Sequence, residues 1–245
     1  MQITIVLPTY NEAENLPGII NSLFELPLPD LKCIIVDDNS PDHTGKIADG
    51  LASQYPGRIE VVHRAGKLGL GSAYITGFKL AMQAGADAIG QMDSDFSHPL
   101  EKLVPLTEAL HDCDLAIGSR YIAGGRLDDH WPLWRKSLSR FGNSYARTIL
   151  RLPMQDITGG FRLFRRQSLQ VIPLERVRSN GYIFQVEIAY IANILGLSFK
   201  EIPIYFAERQ KGKSKMSLRI QLEAAWRVWQ LLGMYDDLRG KRVTF

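Results

Sequence analysis

Asp93, Ser94 and Asp95 close an apolar run (Ala86, Ala88, Ile89, Met92) and are followed by Phe96-Ser97-His98-Pro99, which is poorly suited to continue a strand. Two carboxylates are therefore delivered to the rim of a sheet. In extended backbone, residues i and i+2 project the same way, about 6.5 Å apart. One carboxylate can then take a divalent cation while the other takes a neighbouring hydroxyl. A hard cation prefers carboxylate and phosphate oxygens. That chemistry suits a sugar nucleotide, with its ribose diol and metal-bridged diphosphate, and Mg2+ or Mn2+ is the ion to expect. Two solvated turn aspartates are the competing reading, and it gives way only if other loops agree.

The elements that must position these carboxylates follow from periodicity. Segments 2–7, 31–36, 59–63, 86–92 and 115–118 read as strands, with helices over 14–24, 44–55, 72–84 and 100–110 between them. Such alternation specifies an α/β architecture, a doubly wound, mainly parallel, Rossmann-like sheet. Sheets of this kind bind ligands outside the carboxyl ends of their strands. Pro8-Thr9-Tyr10-Asn11-Glu12, Asp37-Asp38-Asn39-Ser40 and Asp93-Ser94-Asp95 all fall at such ends, so three loops are expected to meet in one crevice. Pro8 and Tyr10 can pack on a base while Glu12 accepts from its donors or a hydroxyl, and Asn11 and Glu12 can equally begin the next helix. Asp38 can accept from a base edge or serve as turn chemistry. Gly69-Leu70-Gly71 lacks the full dinucleotide fingerprint and reads as helix-start geometry, which sets a dehydrogenase aside.

With 245 residues, 45% hydrophobic and 22% charged, the chain can bury a proper core, and no linker or repeat divides it. The net charge is only +3, yet Arg120, Arg126, Arg135, Lys136, Arg140, Arg147 and Arg151 crowd one stretch. Arg209, Lys211, Lys213, Lys215 and Arg219 crowd another. Anionic partners are implied, and no nucleic acid is expected. Cys33 and Cys113 lack metal-type spacing and read as buried thiols of a reducing compartment. No basic-then-apolar leader and no apolar run near ~20 residues is visible, so a cytoplasmic or peripheral protein is expected.

Over 133–152, Trp134, Leu138, Phe141, Tyr145, Ile149 and Leu152 recur at helical spacing, with Arg135 and Ser139 four apart on an adjacent face. One guanidinium and one hydroxyl can thus grip the same phosphate, and Arg120 at the end of the fifth strand can complete the clamp. Trp131 and Trp134 are expected to face lipid headgroups. A second amphipathic helix, over 218–235, carries Leu218, Leu222, Ala225, Trp226, Trp229 and Leu232 along one stripe. That stripe packs on the sheet or rests at a bilayer interface.

Leu7 to Glu12, Val36 to Ser40, Asp93-Ser94-Asp95, Gly118-Ser119-Arg120-Tyr121, Thr158-Gly159-Gly160-Phe161-Arg162 and the basic run from Arg209 to Lys215, in that order, resemble family 2 glycosyltransferases of GT-A fold. Within that family the chain looks like the dolichol-phosphate (polyprenol-phosphate) mannose synthases that lack transmembrane helices. The resemblance implies one GT-A domain over 1–245: a nucleotide-sugar half (1–120), an acceptor half with a basic lid loop (121–215), and a C-terminal helix and tail (216–245). It puts Pro8, Tyr10, Glu12, Val36 and Asp38 around guanosine and Asp93 and Ser94 at the ribose and diphosphate. Asp95 takes the metal, with Ser97 where the family often has glutamine, a longer and stronger ligand. Arg209 and Lys215 close over the donor diphosphate, and Arg120, Arg135 and Ser139 bind polyprenyl phosphate. The implied reaction is inverting transfer of mannose from GDP-mannose to a polyprenyl (dolichyl-type) phosphate, with Asp95, Arg120, Arg209 and Lys215 carrying the catalysis. The setting is the cytoplasmic face of a membrane, reached peripherally or through a membrane-anchoring partner subunit. A phosphomonoester, with its second pKa near 6, is already largely dianionic at neutral pH and requires no general base. The 180–187 segment accordingly offers a single Glu187, read as structural, where relatives acting on sugar hydroxyls carry a Glu-Asp pair. The same chemistry with UDP-glucose or another donor is the nearest alternative, and a non-catalytic sugar-nucleotide-binding module is a more distant one.

Overall fold

Strands and helices alternate from the first residues onward in a computed structural model that describes residues 1–208, 218–241 and 243. In chain order the elements are β1 (Ile3–Thr9), α1 (Leu16–Phe24), β2 (Leu31–Asp37), α2 (Thr44–Gln54), β3 (Ile59–His63), α3 (Leu70–Gln83), β4 (Ala88–Gln91) and α4 (Leu103–Ala109). They continue with β5 (Leu115–Ser119), β6 (Arg126–Leu127), α5 (Leu133–Leu150), β7 (Arg162–Arg165), α6 (Arg166–Val171), α7 (Tyr182–Ile194), β8 (Phe199–Pro203), β9 (Tyr205–Phe206) and α8 (Leu218–Met234). One sheet has the order β3-β2-β1-β4-β7-β5-β8, with β7 antiparallel to both neighbours and the other pairs parallel. A small parallel ribbon joins β6 to β9. The five expected strands are present, whereas β7, β8 and the ribbon are additions that the sequence pattern did not disclose.

Both faces of the sheet are covered. Ile3, Ile5 and Leu7 of β1 pack with residues of α1, α2 and α4, while Val6 joins a second core built from α3, α5, α6, α7 and α8. The period of two along a strand divides these layers, and coverage of both makes the central strands nearly continuous apolar runs. Helix α1 starts at Leu16, later than expected, because Asn11 sits at φ 63° and the Glu12 carbonyl accepts the Asn15 and Leu16 N–H groups first. The glycine pair ahead of α3 is helix-start geometry as read: Gly69 has φ 100°, and a Cβ on Gly71 would lie 2.5 Å from the Ser179 carbonyl. Cys33 and Cys113 are free and buried, and burial pushes the Cys33 thiol up to about 12.

Helix α8 packs on α5 and α7. Val228 and Leu231 are buried while Trp226 and Trp229 are exposed, so the packed stripe differs from the tryptophan stripe read from the sequence. Trp229 Nε1 donates to Tyr145 Oη at 2.9 Å. On α5, Ala146 and Leu150 are buried, but Leu133, Trp134 and Phe141 face outward. Among the described residues no helix is long and apolar enough to cross a membrane.

Candidate active site

Three strand ends meet as expected. The Asp38 N–H donates to the Thr9 carbonyl at 3.0 Å, and Ser94 Oγ donates to the Pro8 carbonyl at 3.2 Å, so the end of β1 is stitched to those of β2 and β4. Asp37 is spent on the turn, accepting from Thr9 Oγ1 and the Ser40 N–H.

The acidic rim is built with care. Tyr74, buried on α3 with its ring stacked on Phe78 and Phe184, donates to Asp93 Oδ1 at 3.1 Å. Burial, and then the Asp93 charge, hold the phenol protonated far above its ordinary range, so it is a permanent donor. Asp95 is buried and accepts the Ser97 N–H at 3.0 Å. Between them Phe96 adopts φ 60°, a strained conformation for a bulky residue and one that clusters at functional sites. Its ring lies over Gly18 of α1, where a Cβ would meet Phe96 Cζ at 3.0 Å. His98 Nδ1 accepts the Asp93 N–H at 3.2 Å, which leaves the proton of a neutral ring on Nε2, and the imidazole stacks on Phe161.

These groups fit a hard divalent ion. The donors are carboxylate oxygens, and the fully buried Ser97 hydroxyl has no hydrogen-bond partner among the described residues. No cluster of three or more His, Cys, Asp or Glu side chains with metal-holding geometry occurs among those residues either. The chain itself thus offers a partial shell, the kind that substrate phosphate oxygens complete around magnesium.

On the nucleotide side four of the expected residues are engaged within the protein. Val36 is wholly buried in the core beneath α3, so its side chain reaches no ligand. The Asp38 carboxylate is taken up by Arg64 and by the N–H groups of Leu68 and Gly69 at 3.2 and 3.3 Å, which fills the acceptor sites proposed for a base. Tyr10 carries Lys67 Nζ 4.0 Å above its ring. Glu12 accepts from Asn15 Nδ2 at 2.7 Å, which is the helix-start role. Sequence reasoning missed Arg64 and Lys67, although both lie in the loop after β3 that it scanned for glycines alone.

The acceptor side brings its residues together in an unexpected way. Arg120 is no mobile clamp: Nε and Nη2 each bond Asp156 at 2.7 Å, Nη2 also reaches Thr158 Oγ1, and the pair is nearly free of solvent. Burial works against both charges, yet their contact outweighs it, raising the arginine and holding Asp156 below the usual carboxylate value. Arg135 lies with Cζ 3.6 Å over the Trp131 ring and donates from Nη1 to Glu208 Oε1 at 3.0 Å. Ser139 Oγ is 2.7 Å from Tyr121 Oη. Trp131 is buried and edge-on to Phe206, so it cannot face headgroups; Trp134, 67% exposed, can. Arg209 and Lys215 lie outside the described residues.

Phe206 is the bridge between the two sides. Its ring is 5.4 Å from His98, and Arg120 Cζ lies 5.2 Å from its centroid. The next residue, Ala207, donates its N–H to the Ser97 carbonyl at 3.1 Å. Acidic loop and arginines therefore share one aromatic partition.

The profile of glycosyl transferase family 2 matches residues 4–172. The chain belongs to that family. It is 43% identical over 239 residues to the polyprenol monophosphomannose synthase of Mycolicibacterium smegmatis, covering 96% of this chain and 89% of that one. It is 42% identical over 243 residues to the undecaprenyl-phosphate mannosyltransferase of Micrococcus luteus, covering 98% and 99%. Its fold is that of the mannosyltransferase PcManGT from Pyrobaculum calidifontis, solved with GDP-Man and Mn2+, at a TM-score of 0.63 and 17% identity over 97% of this chain and 69% of that one. This is the GT-A fold.

In this glycosyltransferase sequence reasoning also overlooked the roles of several buried side chains. Arg162 is fully enclosed, donating to the Gln185 and Ile157 carbonyls at 2.8 and 2.7 Å, and burial pulls its pKa down to about 10. Gln91 bonds both Gln185 and the Gly160 carbonyl beneath Asp93. Glu187 is structural, as expected: it accepts the Ser179 N–H at 2.9 Å and the Tyr235 hydroxyl at 2.6 Å.

Proposed function

We propose that this glycosyltransferase moves mannose from GDP-mannose to a polyprenyl (dolichyl-type) phosphate, inverting the anomeric carbon and releasing GDP. One observation carries the reading: the acidic loop, through His98, and the arginine side, through Arg120, both contact Phe206. The first suits a cation-bound diphosphate and the second a phosphomonoester. The names of the two relatives that align over nearly the whole chain support the acceptor and the sugar. The donor nucleotide is taken from the GDP-Man complex of the solved neighbour.

Asp95, with Ser97 beside it, would hold Mg2+ or Mn2+, and such an ion neutralises charge on a departing diphosphate. Asp93, oriented by Tyr74, is placed to accept a ribose hydroxyl, with Ser94 beside it. Pro8 and Tyr10 frame the base, while Arg64 and Lys67 supply cations on that side. Arg135 and Ser139 orient the acceptor phosphate, and Arg120, fixed by Asp156, contributes its remaining Nη1 group. The phosphate oxygen, already anionic, bonds to the anomeric carbon as the bond to the diphosphate breaks, and no proton has to move. Arg209 and Lys215 are assigned to the leaving group. The rate then comes from positioning and charge stabilisation.

The test is transfer of labelled mannose into an organic-extractable product by purified protein with magnesium or manganese. GDP-mannose and polyprenyl phosphate should suffice, chelation should stop the reaction, and free oligosaccharides should not serve as acceptors. Preferential transfer from UDP-glucose, or tighter binding of UDP than GDP, would replace the donor. Normal nucleotide affinity without turnover from any donor would leave a binding module.

We assign the bilayer surface to the exposed Trp134, Phe141, Trp226 and Trp229 on α5 and α8, with Arg140 and Arg151 among them. The pair Trp134→Ala and Trp229→Ala should weaken sedimentation with anionic liposomes by roughly tenfold or more, since burying each large apolar side chain is worth about 1.5–3 kcal/mol. Unaltered sedimentation would move the membrane contact elsewhere.

A further inference from the structure

The two arginines of the acceptor side are paired in opposite ways. Arg120 is held by two prongs inside the protein, whereas Arg135 meets Glu208 through one hydrogen bond, with side chains 25% and 50% exposed. Exposed single-pronged pairs contribute about 0.2–1 kcal/mol, so this contact opens readily. Its members are nonetheless preset. Arg135 rests on Trp131, itself packed against Phe206. The Glu208 N–H donates to Asp128 Oδ2 at 2.8 Å, and the Asp128 carboxylate also accepts the His130 N–H at 2.8 Å. Those amides hold the Asp128 carboxyl well below its ordinary value, so it stays an acceptor.

We propose that Glu208 is an internal stand-in for the acceptor's phosphate, holding the Arg135 guanidinium in the resting chain and yielding it to a phosphomonoester dianion. The inference rests on the reading of α5 as the acceptor-phosphate helix. Carboxylate and phosphate fit the same guanidinium fork. Glu208 uses one oxygen of that match. A phosphomonoester brings twice the charge, two oxygens for the fork and a third for Ser139, one turn along the same helix face. Exchange therefore favours the phosphate end of a lipid, and the resident carboxylate sets the affinity below which other anions leave Arg135 occupied.

Glu208→Gln tests this, with a short-chain polyprenyl phosphate in detergent as acceptor. Removing the competing charge should lower the acceptor KM roughly fivefold and leave kcat and donor KM unchanged. Arg135→Ala should raise the acceptor KM, and adding Glu208→Gln to it should change nothing further. If Glu208→Gln leaves the acceptor KM unchanged or raises it while Arg135→Ala still raises it, the stand-in is wrong and the acceptor helix survives. A lowered KM that persists without Arg135 also overturns the stand-in, because the effect is then general repulsion. If Arg135→Ala does not move the acceptor KM, the helix assignment itself is lost.

Discussion

Asp95→Asn should remove about 99.9% of kcat/KM while the thermal midpoint stays within a degree or two of wild type. The asparagine keeps the side chain's shape, and its carbonyl oxygen can still accept the Ser97 N–H that Asp95 accepts at 3.0 Å. What disappears is the negative charge at a site screened from water. A cation at a leaving group is worth several kcal/mol, and about 4 kcal/mol corresponds to roughly a thousandfold in rate. Mn2+ titration followed by spin resonance in the presence of GDP should show affinity lost in parallel. Activity within tenfold of wild type would remove Asp95 from the metal site and with it the proposed leaving-group chemistry.

Asp156→Ala should cost about 3–5 kcal/mol of stability, the usual result of stranding one member of a buried ion pair. The loss is specific to this position. Asp156 accepts the Arg120 N–H, Nε and Nη2 groups and the Gly159 N–H, and it lies close enough to Arg162 for the two charges to interact. Without it two enclosed guanidinium groups face each other uncompensated. For a chain of this length the midpoint should fall by about 10 °C. A double variant, Asp156→Ala with Arg120→Met, should be more stable than the single one, because the guanidinium that Asp156 pairs directly is gone and Arg162 no longer faces a second enclosed cation. The wild type should show the same linkage in acid. The Asp156 pKa is lower folded than unfolded, so the pair stabilises fully above the ordinary carboxylate pKa of about 3.9. That contribution is lost as pH falls below this value toward the folded pKa. A single variant as stable as wild type would show that the pair contributes nothing.

How far the fold was legible depended on which signal each element carried. The strands from β1 to β5 are apolar runs ending in turn residues, and their alternation with helices stands out. Strand β7 begins and ends in arginine, and Arg162 is fully buried with its Nη1 and Nη2 groups donating to the Gln185 and Ile157 carbonyls. No pattern of apolar spacing announces such a strand. Val36 was placed at the base by resemblance alone, and its side chain lies in the core because β2 is buried on both faces. Trp131 was misplaced because Phe206, which packs against it, comes from a distant segment. That the 93–98 loop follows the end of a strand was legible because its residues are contiguous. The partners that decide how Arg120 and Arg135 behave, Asp156 and Glu208, lie 36 and 73 residues away.

The place of β7 in the sheet has a consequence for biosynthesis. Strands β4 and β5 are separated by a strand that leaves the ribosome some forty residues after β5 is complete, so neither can gain its partner earlier. A fragment ending near residue 120 would leave one edge of β4 and both edges of β5 unpaired, the kind of surface that recruits other chains. The stretches before and after residue 120 are thus interleaved at the level of hydrogen bonding, and cutting the gene between them would not yield two working pieces.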